Sequence, residues 1–191
     1  MTIYNMMGWG KGKTTSAIGI AARALGNGEK VLFCQFLKDG NDKGIEFLKQ
    51  NGNFFHLSQN IKGFKRKDAT KFYHQCLEAI KKNEPDIVIL DELNVAMDYK
   101  LIKYDSASLM TDLLLINQDR DVYITGRINN HNLRHHMSEL ADIATNCYCE
   151  KHSYNKQCTH CGMEFNTHYN YCPICSKKLK ESSKAQVGRE C

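Results

Sequence analysis

Thr2-Ile3-Tyr4-Asn5-Met6-Met7, running straight into Gly8-Trp9-Gly10-Lys11-Gly12-Lys13-Thr14-Thr15, is the stretch that decides the fold. A short apolar run leads into a glycine-rich loop. TTSAIGIAARAL (14–25) then repeats small and apolar residues at helical spacing until Gly26-Asn27-Gly28 stops it. The order is strand, loop, helix, which turns backbone amides and the positive end of a helix dipole toward one point, where phosphate oxygens are held. Glycines let the backbone approach closely. Lys13 would neutralise phosphate charge, the Thr14 hydroxyl would bind a magnesium ion, and Lys11 adds a second cation. Residues Gly8, Trp9, Gly10, Lys11, Gly12, Lys13, Thr14 and Thr15 are therefore the candidate nucleotide-binding set. The strict pattern GxxxxGK[ST] asks for glycine at position 7, where Met7 stands, so context must carry the reading.

Outward from this loop the chain alternates. KVLFCQFL (30–37) reads as a buried strand, GIEFLKQN (44–51) as a helix and NFFHL (53–57) as another strand. A helix over 69–83 ends before Glu84-Pro85, because proline blocks continuation. The strand DIVIL (86–90), a helix at 106–117, the strand DVYIT (121–125), a helix near 133–140 and a last strand over 143–149 follow. Strands alternating with helices predict a doubly wound α/β domain with a mainly parallel sheet.

Ile87-Val88-Ile89-Leu90 are followed by Asp91-Glu92. Two acids after so apolar a strand place carboxylates at its carboxyl end, beside the phosphate loop in such sheets. With Thr14 they complete a magnesium site.

The formal net charge is +5, yet Lys and Arg outnumber Asp and Glu by only 19 to 18 over residues 1–150 and by 7 to 3 over residues 151–191. The excess sits in the tail, where four thiolates on one divalent ion would offset it, so composition gives little support to nucleic-acid binding. No apolar stretch reaches the roughly 18 residues of a membrane-spanning helix, and residues 1–13 lack the apolar run of a signal peptide. The expectation is a cytoplasmic protein. In that compartment nine cysteines read as thiols and metal ligands.

Cys158-x2-Cys161 and Cys172-x2-Cys175 form two knuckles ten residues apart, with Gly162 and Pro173 supplying tight turns. Four thiolates at this spacing predict a zinc ribbon over 157–179, with iron as the main metal alternative and disulfides third. His160 and His168 read as surface residues, and Cys34, Cys76, Cys147, Cys149 and Cys191 as buried or incidental thiols. The domains expected are 1–152, 157–179 and a disordered tail over 180–191.

Taken together, GWGKGKTT, QFLKDG (35–40), LDELNVAMDY (90–99), TGR (125–127) and ELADIAT (139–145) resemble the ATP:corrinoid adenosyltransferases, and Glu150-Lys151-His152 resembles that family's ending. The resemblance runs in order from about Ile3 to His152. It implies a RecA-like sheet, a homodimer, and transfer of the 5′-deoxyadenosyl group of MgATP to the Co(I) of a reduced corrinoid, with release of triphosphate. A separate reductase would supply Co(I), itself the nucleophile, in agreement with the absence of a catalytic triad. Lys13, Lys11 and Glu92 would then carry catalysis. Thr14 and Glu92 would bind magnesium, with Asp91 in support.

Asn94, Asp98 and Arg127 fall on motif positions. Gly63-Phe64-Lys65-Arg66 stands where many relatives have Gly-Phe-x-Trp near the corrinoid, which makes Phe64, Arg66, Asn94 and Arg127 the corrinoid candidates. Relatives often carry an N-terminal extension over the corrinoid; this sequence begins at the first strand, and the ribbon is expected to replace that cover or to lie in a dimer contact. Two other readings are a zinc-containing thymidine kinase, which would release ADP, and a non-catalytic nucleotide sensor using the ribbon to bind a partner.

Overall fold

Val31–Gln35 and Ile87–Asp91 are buried along their whole length, because both faces of the sheet they occupy are covered. In the computed structural model, which describes residues 1–59, 66–103, 105–148, 156–160, 164, 165, 171, 172, 175 and 177–181, six strands form one parallel sheet. These are β1 (Ile3–Met7), β2 (Val31–Gln35), β3 (Phe54–Ser58), β4 (Ile87–Asp91), β5 (Asp121–Thr125) and β6 (Ile143–Asn146). Their order is β3-β2-β4-β5-β1-β6. The six helices are α1 (Lys13–Gly26), α2 (Lys43–Leu48), α3 (Arg66–Asn83), α4 (Leu93–Asp98), α5 (Ser106–Asn117) and α6 (His131–Leu140).

Alternation along the strands divides the core in two. Val31, Phe33, Ile87 and Ile89 meet Ala17, Ala21, Ala24 and Leu25 of α1 and Ile45 and Leu48 of α2. Leu32, Cys34, Val88 and Leu90 face the other way, toward buried residues of α3, α4, α5 and α6. Side chains on a strand point alternately to opposite faces, so apolar residues at every position are what a doubly covered sheet requires.

The expected elements are present, with shifts at their ends that have local causes. The second helix starts at Lys43 because Asp42 caps it, accepting from the amides of Gly44 and Ile45. The strand expected over 30–37 stops at Gln35, and Leu37 turns into the left-handed region at φ 57. The strand expected over 143–149 ends at Asn146, because Cys147 and Tyr148 leave the sheet to lie against the phosphate loop. Helix α4 is new, and it packs six residues directly behind the Asp91-Glu92 pair.

A second sheet of three short antiparallel strands has the order β8-β7-β9, built from β7 (Lys156–Gln157), β8 (Glu164–Phe165) and β9 (Lys180–Glu181). Cys161, Gly162, Pro173 and His168, the Gly63-Phe64-Lys65 segment, Cys149 through Asn155 and residues 182–191 lie outside the described residues. The expected break between the domains 1–152 and 157–179 and the expected tail fall largely among them. No helix of the described residues is long and apolar enough to cross a membrane.

Candidate nucleotide and metal site

β1 delivers the loop at the carboxyl edge of the sheet. Gly8 turns at φ 98 and Gly12 at φ 103, conformations that side-chain-bearing residues rarely adopt. A Cβ on Gly8 would meet the Asn146 side chain and the Cys147 carbonyl, and one on Gly10 the carbonyl of Tyr148. The strand-exit segment thus clasps the loop. Gly10 N–H donates to the Cys147 carbonyl at 2.8 Å, and Cys147 N–H donates to Met7 at 2.7 Å.

Helix α1 starts at Gly12 with no side chain capping it. An uncapped helix start leaves its first amides to whatever anion arrives, with the helix dipole favouring negative charge there. Lys13 folds back into the loop, its Nζ donating to the carbonyls of Gly8 at 2.7 Å and Gly10 at 2.6 Å. Burial pulls its pKa below the usual 10.5, opposed by the charge of Glu92. Lys11 and Thr15 are exposed. Arg127, on the turn after β5, lays its guanidinium over the Trp9 ring at 4.8 Å.

Asp91, the last residue of β4, is fully buried. Its Oδ1 accepts from Thr14 Oγ1 at 3.0 Å and from Thr125 Oγ1 at 2.7 Å. Its Oδ2 accepts from Lys38 Nζ at 2.7 Å and from Gln35 Nε2 at 3.2 Å. Lys38 also donates to Thr14 Oγ1 at 2.7 Å and stands 4.0 Å from the Glu92 carboxylate. One ammonium therefore bridges the hydroxyl and both acids that the sequence assigns to magnesium.

Glu92 is at φ 64, and its amide donates to Thr125 Oγ1 at 3.0 Å. Its side chain is 25% exposed, while Asp91 is 0% exposed. Burial raises the Glu92 carboxyl above the ordinary 4.5, and the nearby Lys38 charge opposes that shift. A left-handed non-glycine residue costs on the order of 1–2 kcal/mol, and here it turns the chain from β4 into α4 and presents this carboxylate at the strand end.

The remaining sequence candidates separate. Asn94 is buried, donating to Asn5 Oδ1 at 2.7 Å and to the Gly126 carbonyl at 3.2 Å. Asp98 accepts from the amides of Asn129 and Asn130 and from the Asn129 side chain at 2.8–3.0 Å, so it ties α4 to the chain after β5. Arg66 begins α3, with its side chain outside the described atoms, and Phe64 lies outside the described residues. Three residues were not singled out from sequence: Lys38, Thr125 and Gln35. Their signal is positional, since Gln35 and Thr125 end parallel strands, Gln35 lies in register with Asp91, and Lys38 follows three residues later.

Among the cysteines, Sγ atoms of Cys158, Cys172 and Cys175 lie within 4.8 Å of one another, and those of Cys158 and Cys175 are 3.4 Å apart. Three sulfurs converging at one point suit a tetrahedral thiophilic ion. Cys34 and Cys76 are buried, and Cys147 is half-buried. His160 is exposed.

An open parallel sheet with a glycine-rich loop at its carboxyl edge, an uncapped helix behind it and the Asp91-Glu92 pair beside it defines a RecA-like P-loop α/β fold. The fold is shared with the flagellar accessory protein FlaH of Methanocaldococcus jannaschii, at a TM-score of 0.56 and 13% identity, over 93% of this chain and 83% of that one. The chain belongs to the family of ATP:corrinoid adenosyltransferases BtuR/CobO/CobP, whose model matches residues 2–165. It is 30% identical to a corrinoid adenosyltransferase of Escherichia coli K12 and 29% identical to one of Pseudomonas aeruginosa, spanning 76% and 74% of their lengths and 78% and 77% of its own. An uncharacterized protein of Nostoc is 31% identical over 78% of this chain, which spans 44% of that protein. These matches favour neither a thymidine kinase nor a nucleotide sensor.

Proposed function

We propose that this protein transfers the 5′-deoxyadenosyl group of MgATP to the cobalt of a reduced corrinoid. The reading is carried by one observation, the convergence of Lys13, Thr14, Asp91 and Glu92 at the mouth of the loop, in a chain of this family. In the reaction the Co(I) electron pair attacks the 5′ carbon of ATP, a cobalt–carbon bond forms, the C5′–O bond breaks, and its electrons leave on the triphosphate. No side chain has to act as a nucleophile or base. The protein binds, aligns and neutralises.

Lys13 would exchange its two loop carbonyls for phosphate oxygens, and Lys11 would add charge from the exposed side. Amides of the Gly8–Thr15 loop other than that of Gly10, which is tied to Cys147, would cradle the triphosphate. Thr14 and Glu92 suit magnesium, since the hydroxyl and the quarter-exposed carboxylate supply hard oxygen donors, and Asp91 supports them by holding Thr14. When bound, magnesium would neutralise charge on the leaving triphosphate. Lys38 would then leave its bridging position and turn to the phosphates.

Arg127, beside Trp9 at the loop, and Arg66 with Phe64 remain the corrinoid candidates, while Asn94 serves by fixing α4 against Gly126. Cys158, Cys161, Cys172 and Cys175 would hold structural zinc, with iron the metal alternative, in a ribbon over 157–179 that follows a catalytic domain of residues 1–152. A homodimer, a reductase supplying Co(I), and a cytoplasmic location complete the reading.

The test incubates the protein anaerobically with MgATP and a chemically reduced corrinoid, following the visible spectrum and the phosphate product. Adenosylcorrinoid with one equivalent of triphosphate, both abolished in Lys13→Ala, is expected. ATP binding with no cobalt–carbon bond for any corrinoid would overturn the proposal.

A further inference from the structure

The sulfur cluster does not stand apart from the main domain. Cys158 is 0% exposed and Cys172 1%, and with Leu179 they pack on Val95 of α4, bordered by Leu37, Tyr99 and Cys175. Leu37 also packs on the larger sheet-face core, so its side chain is shared between the two bodies. Its backbone is the left-handed turn at φ 57, and its amide donates to Gln59 Oε1 at 3.2 Å. The next residue is Lys38, whose Nζ lies 2.7 Å from both Thr14 Oγ1 and Asp91 Oδ2.

Val95 marks the second flank. It stands three residues past Glu92, and its backbone lies against Gly126 of the turn that carries Arg127. The cysteines are therefore seated on both segments that bring charged side chains to the phosphate loop: Leu37–Lys38 and Glu92–Val95.

We propose that the metal held by these cysteines is coupled to the nucleotide site, clamping Leu37 and α4 so that Lys38 is kept at the mouth of the loop, from where it turns to the phosphates as magnesium takes its place, and that metal and MgATP bind with positive cooperativity. The proposal rests on the MgATP reading above. A shared ion is what keeps several thiolates at one point, and without it the packing surface they present is lost. A non-glycine residue at φ 57 persists only while its surroundings impose that conformation. Released, Leu37 returns to ordinary extended backbone and carries Lys38 away from the mouth of the loop, out of reach of the phosphates. Binding coupling is reciprocal, so each ligand strengthens the other by the same factor.

The experiment measures MgATP affinity by titration calorimetry for the full chain loaded with Zn(II), and again after a zinc-selective chelator has stripped it. Affinity is expected to fall about tenfold on stripping and to recover with one equivalent of zinc, and saturating MgATP is expected to tighten zinc retention against the chelator by the same factor. Leu37→Ala keeps every cysteine but removes the shared contact. In the loaded state it is expected to weaken MgATP severalfold, with little further loss on stripping, because the two changes act on one contact. Equal affinities in loaded and stripped protein, or losses from Leu37→Ala and stripping that simply add, would overturn the coupling. A loaded protein that binds no MgATP overturns the nucleotide reading, and the coupling falls with it.

Discussion

Asp91 accepts four hydrogen bonds while fully buried, so its charge is compensated before any ligand arrives. Removing one donor leaves part of that charge exposed to a low-dielectric interior. Lys38→Ala should lower the stability of the ligand-free protein by about 1–3 kcal/mol. Added Mg2+ should restore more stability to this variant than it adds to the parent, because the bridging position between Thr14, Asp91 and Glu92 is vacated. Thermal melts with and without Mg2+ check both statements. For Glu92, burial raises the folded-state pKa above 4.5, so between that value and the raised one the folded protein holds a proton that the unfolded chain has released. Stability therefore falls as pH rises through that window and levels off above it. Glu92→Gln should flatten this slope in urea unfolding midpoints taken from pH 4 upward, and should weaken the Mg2+ response at pH 7. The sequence made Lys13, Thr14, Asp91 and Glu92 visible because each lies in a short motif. Gln35 and Lys38 lie in QFLKDG and Thr125 in TGR, yet their role escaped the sequence, since what unites them around Asp91 is their position at the ends of neighbouring strands.

The loop, its helix and the edge strand act together, and glycine substitutions separate their contributions. Gly12 has open space around its α-carbon but φ 103, so Gly12→Ala should cost only the backbone strain, about 1–2 kcal/mol. At Gly10 a Cβ runs into the Tyr148 and Cys147 backbone, which cannot move without lifting the segment from the loop. Gly10→Ala should therefore destabilise more than Gly12→Ala in chemical denaturation, and should speed amide exchange at Cys147, whose N–H is tied to Met7. Strand and helix identities were legible because apolar runs and helical spacing report burial directly. Helix α4 was not, because five of its six residues are buried and six residues span too few turns for a helical period to stand out. The end of β6 was equally hidden. All four of its residues are exposed, and what stops it is the loop it must turn to meet, a contact between residues more than a hundred positions apart.

Across the whole molecule, a ligand that binds only the folded chain shifts unfolding by mass action. MgATP at a hundred times its dissociation constant should stabilise the protein by about 2.7 kcal/mol. Most of this shift in melting temperature should vanish in Lys13→Ala, measured against that variant's own unliganded melt. The chain has a single tryptophan, Trp9, and it lies inside the phosphate loop beneath Arg127. The intrinsic tryptophan fluorescence of the entire protein is therefore a local signal from that loop. Emission followed during unfolding records when the loop loosens from the strand-exit segment, whereas circular dichroism records when the sheet and helices melt. The two curves need not coincide, and an earlier emission transition would time the loss of the binding-competent loop within a sheet that is still intact.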